Sequence, residues 1–280
     1  MEKYKLDQTI LYVDNISVGY DDGKPVLKNV SMIEKDVIRE GVSATGQIIA
    51  VVGRSGRGKS TLFKVLTGLY KPIQGKVLIS NNTDSSQPES AKEVTEGIVG
   101  FVDQKYTLFR HKTIYQIMMY ALTRCPIRKK LPVAEKHVII DEQLVKWGLM
   151  EHKDKYPCEL SGGQRQRTAI IEQLLTSKHF MVFDEPFSGL DVGNIESVKE
   201  SFEIISSSNE LNTIIFSTHD INLAVELSDC IYVIGRPEGV TDYSTVIQRY
   251  DLKELGLAWS KFGPQHLELV TKIKEDLMKS

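Results

Sequence analysis

Gly53 is followed, after four residues, by Gly58-Lys59-Ser60-Thr61, and the residue types at this spacing suit one task, the holding of a polyphosphate. Glycines at 53, 56 and 58 let the backbone curl so that successive N–H groups point at phosphate oxygens, with Arg54, Ser55 and Arg57 between them. A helix beginning at Lys59 adds the positive end of its dipole. Lys59 can reach the β- and γ-phosphates, and the Ser60 hydroxyl can ligate Mg²⁺. A plain glycine-rich turn between strand and helix is the competing reading. The apolar run 48–52 before the loop and the apolar-periodic helix after it favour the nucleotide site.

A second constellation is the carboxylate pair Asp184-Glu185, which closes the apolar run 180–183. Alone, such a pair could equally be a charge cluster at a helix start. Beside a phosphate loop the division of labour becomes specific: Asp184 in the Mg²⁺ shell, Glu185 polarising a water for attack on the γ-phosphate. Gln104 and His219 could each hydrogen-bond a γ-phosphate oxygen, although a lone histidine is more often structural.

These residues need elements to position them. Buried strands are expected over 48–52, 98–102, 180–183, 213–217 and 230–234, alternating with helices over about 61–67, 113–150, 161–176, 193–206 and 221–227. Pro126, Pro132 and Pro157 interrupt or close the second helical region. This alternation predicts an α/β fold with a mostly parallel sheet. In such sheets ligands sit at the carboxyl ends of strands, and Gly53, Gln104, Asp184 and His219 each fall at one. Residues 8–33 read as short strands broken by a turn at 19–25, with Tyr20 at its mouth; from that segment alone Tyr20 is an ordinary surface or half-buried ring. Residues 34–46 read as a polar connection and 80–97 as a polar surface loop. The tail 264–277 has helical spacing at Leu267, Val270, Ile273 and Leu277 and is expected to pack on its own core.

Composition bounds the rest. The chain has 280 residues, 41% hydrophobic and 26% charged, which suits an ordinary globular protein. Its 35 basic and 37 acidic residues leave a net charge of −2, so no global basic surface argues for nucleic acid. No apolar run approaches the roughly 18 residues that span a bilayer. The start MEKYKLDQTI lacks the apolar core of a secretion signal. Three scattered cysteines, Cys125, Cys158 and Cys230, suit free thiols in a reducing cytoplasm.

Leu160-Ser161-Gly162-Gly163-Gln164-Arg165-Gln166-Arg167 decides between families. It reads as a helix start with Ser161 as N-cap, and it also closely resembles the signature of the ABC (ATP-binding cassette) ATPases. The resemblance covers nearly the whole chain in the family's order: Gly53 to Thr61 as its P-loop, Gln104 as its Q-loop glutamine, and Asp184-Glu185 as its acidic motif. Ser188-Gly189-Leu190-Asp191 follows as its D-loop and His219 as its switch histidine. By position Tyr20 then resembles the aromatic that stacks on adenine, which reverses the reading from the segment alone. The resemblance implies a RecA-like P-loop core, an N-terminal antiparallel β subdomain and an inserted helical subdomain at about 106–165. It also implies a cassette over 1–235 and a C-terminal extension over 236–280. It implies ATP with Mg²⁺ held by Ser60, Gln104 and Asp184, and catalysis by Glu185, His219, Lys59 and Gln104. Two cassettes, identical or not, would pair head to tail, with Ser161, Gly162, Gly163 and Gln164 of one capping the nucleotide held by the other. Arg57 departs from the family, which usually has a small residue there. The connection at 34–45 is longer than usual, which weakens the placement of Tyr20.

The resemblance implies a transporter motor docked on separate permease subunits at the cytoplasmic face of the membrane, with no nucleic-acid partner expected. The stretches 101–109 and 184–191 look most like bacterial importer cassettes of the nitrate, sulfonate and taurine group, for which a substrate-binding protein is a further partner. A soluble ABC ATPase acting on DNA or ribosomes, or a lipid or lipoprotein exporter motor, is the alternative. The stretch between Gly53 and Ser161 has room for one helical subdomain but not for a long coiled coil. Leu108, Phe109, Ile114, Ile117 and Met118 are candidates for a groove receiving a partner helix, or else core of the helical subdomain.

Overall fold

The computed structural model describes residues 4–19, 24–42, 46–80, 91–125, 128–177, 179–190 and 192–280. Strands β1 (Tyr4–Gly19) and β2 (Pro25–Arg39) form a long antiparallel pair running from Gly19 opposite Pro25 to Tyr4 opposite Arg39. Next, β3 (Gln47–Gly53) leads through the glycine loop into α1 (Lys59–Leu66). The chain then returns as β4 (Gln74–Ser80) beside β1, and β5 (Ala91–Glu93) adds an edge, giving the antiparallel order β2-β1-β4-β5. Strand β6 (Gly100–Val102) precedes helices α2 (Ile114–Arg124) and α3 (Val133–Lys146), and α4 (Gly162–Thr176) follows. The remainder alternates β7 (Phe180–Phe183), α5 (Val192–Ser206), β8 (Thr213–Thr218), α6 (Ile221–Leu227) and β9 (Cys230–Gly235). It ends with β10 (Thr245–Asp251) and α7 (Pro264–Lys279).

The second sheet has the order β10-β9-β3-β8-β7-β6, parallel throughout except for β10. Its parallel strands β3, β7 and β9 are apolar on both faces because both faces are covered. Successive side chains point to opposite layers. Ile49, Val51, Val182, Ile215 and Tyr232 pack toward α1 and the antiparallel sheet. Their neighbours Ala50, Val52, Phe183, Phe216 and Val233 pack toward the helices on the other side.

Four expectations change. Residues 34–39 are not a loop but the end of β2, with Glu34 and Asp36 buried. Charge can enter this strand because Glu34 is paired: its carboxylate accepts from Arg249 Nε at 3.0 Å and from the Tyr232 hydroxyl at 2.6 Å. Within 80–97, residues 91–93 form β5 against β4; backbone bonds suffice there, since all three side chains are exposed. Residues 81–90 lie outside the described residues. Strand β10 was not anticipated, because its residues are only half-buried and lack the apolar run of a central strand. In α7 the inward face is Leu269, Val270 and Ile273, whereas Leu267 is 52% exposed.

Helix α4 is wedged between α2 and β6 and buries polar residues as well as apolar ones. Among them Glu172 has its carboxyl pushed up from 4.5 to about 7 by burial. A raised carboxylate pKa means that the folded state holds its proton where the unfolded chain has lost it, so stability falls as pH rises from about 4.5 to 7. The expected loss is on the order of 3 kcal/mol across that interval. Denaturant unfolding of the wild type and Glu172→Gln at pH 5 and pH 8 should show the variant gaining relative stability at the higher pH. An unchanged difference would contradict this reading of Glu172.

Candidate nucleotide site

Because β3, β6, β7 and β8 run parallel, their carboxyl ends lie along one edge, and Gly53, Gln104, Asp184 and His219 follow there as expected. Strand β8 lies between β3 and β7, the RecA-like arrangement. Gly53 is required by close approach: a Cβ there would meet the Ile234 carbonyl oxygen at 2.7 Å. Gly58 caps α1 at φ +91°, a conformation other residues rarely adopt. Arg54, Ser55, Gly56 and Ser60 are exposed along the loop, whereas Thr61 is buried.

The Lys59 side chain is 8% exposed, and its ammonium donates to the Gly53 carbonyl at 2.8 Å. It also lies 3.3 Å from Glu185 Oε1, while Glu185 Oε2 is 3.0 Å from His219 Nδ1. Glu185 therefore sits between a fixed cation and an exposed imidazole. Its backbone is left-handed, at φ +51°, and is held there by a bond from its N–H to Ser217 Oγ at 2.9 Å. The same hydroxyl donates to Asp184 Oδ1 at 2.8 Å, and Asp184 N–H donates to the Val102 carbonyl. One serine thus orients both acidic residues. By resemblance Ser217 falls in the stretch 217–220 around the switch histidine, but the sequence assigns it no role: Thr213 and Thr218 in the same buried strand also carry hydroxyls, so nothing singles it out.

Other expected residues are nearby or apart. Gln104 is exposed in the turn after β6. That turn is fixed by Asp103, which accepts from the backbone N–H groups of Lys105 and Thr107, both at 3.1 Å. Ser161 caps α4 with Gln164 in a reciprocal box: Gln164 N–H donates to Ser161 Oγ at 3.2 Å, and Ser161 N–H to Gln164 Oε1 at 3.0 Å. Ser161 and Gly162 are exposed, and a Cβ at Gly162 would meet nothing within 4 Å. Tyr20 lies outside the described residues. Arg57, the departure from the family's small residue, is half-buried, and its Nη2 donates to the Ser280 carbonyl at 3.2 Å.

The suggested partner groove is not apolar surface. Ile114, Ile117 and Met118 are fully buried and Leu108 nearly so, leaving Phe109 as the exposed ring, edge-on to Tyr120 at 5.1 Å. Among the described residues no helix is long and apolar enough to cross a membrane. Nor do three His, Cys, Asp or Glu side chains gather there as a metal site.

A lysine-bearing glycine loop between β3 and α1, with carboxylates ending a strand one place removed, defines a P-loop nucleoside triphosphatase. A family profile described as ABC transporter matches residues 42–188, and the chain belongs to this family as an ATP-binding, ATP-hydrolysing subunit. It is similar to the arginine transport ATP-binding protein ArtM of Bacillus subtilis, 37% identical over 78% of this chain and 84% of that one. It is also similar to the sulfate/thiosulfate import ATP-binding protein CysA of Thermosynechococcus vestitus, 30% identical over 90% of this chain and 69% of that one. Among solved structures it resembles cbiO1 of Clostridium perfringens, part of the ABC transporter complex cbiONQ. That likeness has a TM-score of 0.67 and 26% identity over 97% of both chains.

Removing the Ser217 hydroxyl leaves Glu185 N–H unpaired and Asp184 less fixed. Ser217→Ala should lower ATP turnover about tenfold to a hundredfold. It should cost about 1–2 kcal/mol of stability, with Ser217→Thr restoring most of both. Steady-state ATPase assays beside denaturant unfolding provide the check.

Proposed function

We propose that this chain is the motor subunit of a membrane importer, pairing head to tail with a second cassette and driving separate permease subunits at the cytoplasmic face. The observation that carries the reading is Glu185, held between Lys59 and His219 beside a glycine loop. Residues 53–61 cradle the phosphates of ATP through backbone N–H groups, and Lys59 neutralises charge developing on the γ-phosphoryl group. Mg²⁺ fits the hard oxygen donors on offer: the Ser60 hydroxyl, the Asp184 carboxylate and the Gln104 amide. The ion needs no protein cage because ATP contributes phosphate oxygens. When bound, it would supply positive charge that offsets the charge on those oxygens.

Glu185 accepts a proton from, and orients, the attacking water, while His219 holds the carboxylate from its other side and can bond a γ-phosphate oxygen. The family resemblance alone gives Tyr20 the role of stacking on adenine. The cap formed by Ser161 and Gly163 belongs to the partner's nucleotide: a helix N-terminus with exposed N–H groups is an anion site, and here it is turned to solvent. A permease supplies the translocation path and a substrate-binding protein delivers cargo. The relatives' names divide among arginine, sulfate/thiosulfate and choline, so the proposal stops at import without naming the solute.

Glu185→Gln keeps the shape and hydrogen-bonding reach of residue 185 but removes its basicity. Turnover should fall at least about a hundredfold, while ATP still drives pairing visible by size-exclusion chromatography. A wild-type rate would remove Glu185 from the role of base. Mixed pairs in which one chain carries Ser161→Arg should hydrolyse at one site only. Normal hydrolysis at both would contradict the shared site.

A further inference from the structure

Tyr106, two residues past Gln104, has a left-handed backbone at φ +48° that turns its ring inward. The ring packs with Leu108, Ile117 and Ala169, so it belongs to the helical layer rather than to the nucleotide edge. Its hydroxyl nevertheless reaches the catalytic turn. It donates to the carbonyl of Pro186, the residue after Glu185, at 2.9 Å, and it accepts from Gln166 Nε2 at 3.0 Å. Gln166 is 2% exposed and lies one turn into α4, the helix that presents Gly162 and Gly163 and is capped by Ser161 through the Gln164 N–H. One phenol therefore joins three segments: the turn after β6, the helix presenting the signature, and the turn holding Glu185. Burial and the nearby Asp103 push this phenol up to about 12, so it remains a donor through the physiological range.

We propose that Tyr106 is a positioning residue whose hydroxyl registers α4 against the Glu185 turn, so that the placement of the signature and of the hydrolytic carboxylate are set together. The inference rests on Glu185 acting as the base. The geometry leaves little alternative routing. Glu185 N–H is already committed to Ser217 and its carbonyl to Ser188 N–H, and Pro186 has no N–H, so of the backbone groups of these two residues the Pro186 carbonyl is the one held from the helical side. A shift of α4 by about 1 Å would break the Gln166 bond or drag Pro186 with it, and displacements of that size are enough to cost catalysis heavily.

Tyr106→Phe retains the ring and deletes both bonds; Gln166→Leu deletes one from the other side. In the full chain, each should lower kcat for ATP about tenfold. KM for ATP and the affinity for a fluorescent ATP analogue should stay within about twofold, because P-loop contacts are untouched. The melting temperature should move by no more than about 4 °C, as expected for one or two hydrogen bonds in a chain of this size. The double variant should be no slower than the slower single, since both act through one hydroxyl. A wild-type kcat in Tyr106→Phe overturns the proposal, as do multiplying losses in the double variant. Equal losses in nucleotide affinity and kcat would also overturn it. Glu185→Gln run in parallel separates the two ideas. If it still turns over, the reading of the base fails and the proposal with it; if it is inactive while Tyr106→Phe is normal, the proposal alone fails.

Discussion

The structure depends on where the Glu185 carboxylate can be held. A carboxylate beside a buried ammonium is stabilised by the charge and costs desolvation to place. Here it is reached through a backbone conformation that non-glycine residues seldom adopt, at φ +51°. That strain persists because the surroundings over-determine it: Ser217 fixes the N–H, Tyr106 fixes the following carbonyl, and Lys59 and His219 fix the two oxygens. Beneath this turn Phe187, Phe202, Phe183 and Phe216 form a set of edge-to-face and tilted rings with centroids 5.0–5.7 Å apart. Their stacking anchors α5 to β7 and β8 and gives the turn a rigid floor.

Much of this was legible in the chain. Runs of four or more apolar residues at 48–52, 180–183 and 230–234 marked central strands, because strands covered on both faces need no polar residues. The paired termini followed: Phe180 to Phe183, Ile221 to Leu227 and the capping of α4 by Ser161 all stand where residue types placed them. Local signals failed where partners distant in sequence supply the stabilisation. Glu34 can lie in a strand only because Arg249 and Tyr232 reach it from some two hundred residues away. Strand β10 is held by backbone pairing to β9 and leaves no period of its own. Ser217 and Tyr106 look unremarkable in one dimension; each matters through a hydroxyl whose partners come from other elements.

The site divides in the same way. The loop, the carboxylates, Gln104 and His219 were recognisable because phosphate chemistry constrains residue type and spacing. The oxygen and nitrogen atoms that aim them were not, since any serine or tyrosine in a buried strand or turn presents the same letter.

The alternation of side chains across the large sheet has a consequence for how such a chain can vary. Val182 packs in the layer with α1 and the antiparallel sheet, whereas its neighbour Phe183 packs in the layer with α5 and α7. Adjacent letters therefore answer to different neighbours, and a volume change at one is compensated on its own side. The layer that holds α5 and α7 and the layer that steadies the phosphate loop share one sheet without sharing side-chain contacts. A repacking of one layer can thus leave the other layer's contacts with the glycine loop intact.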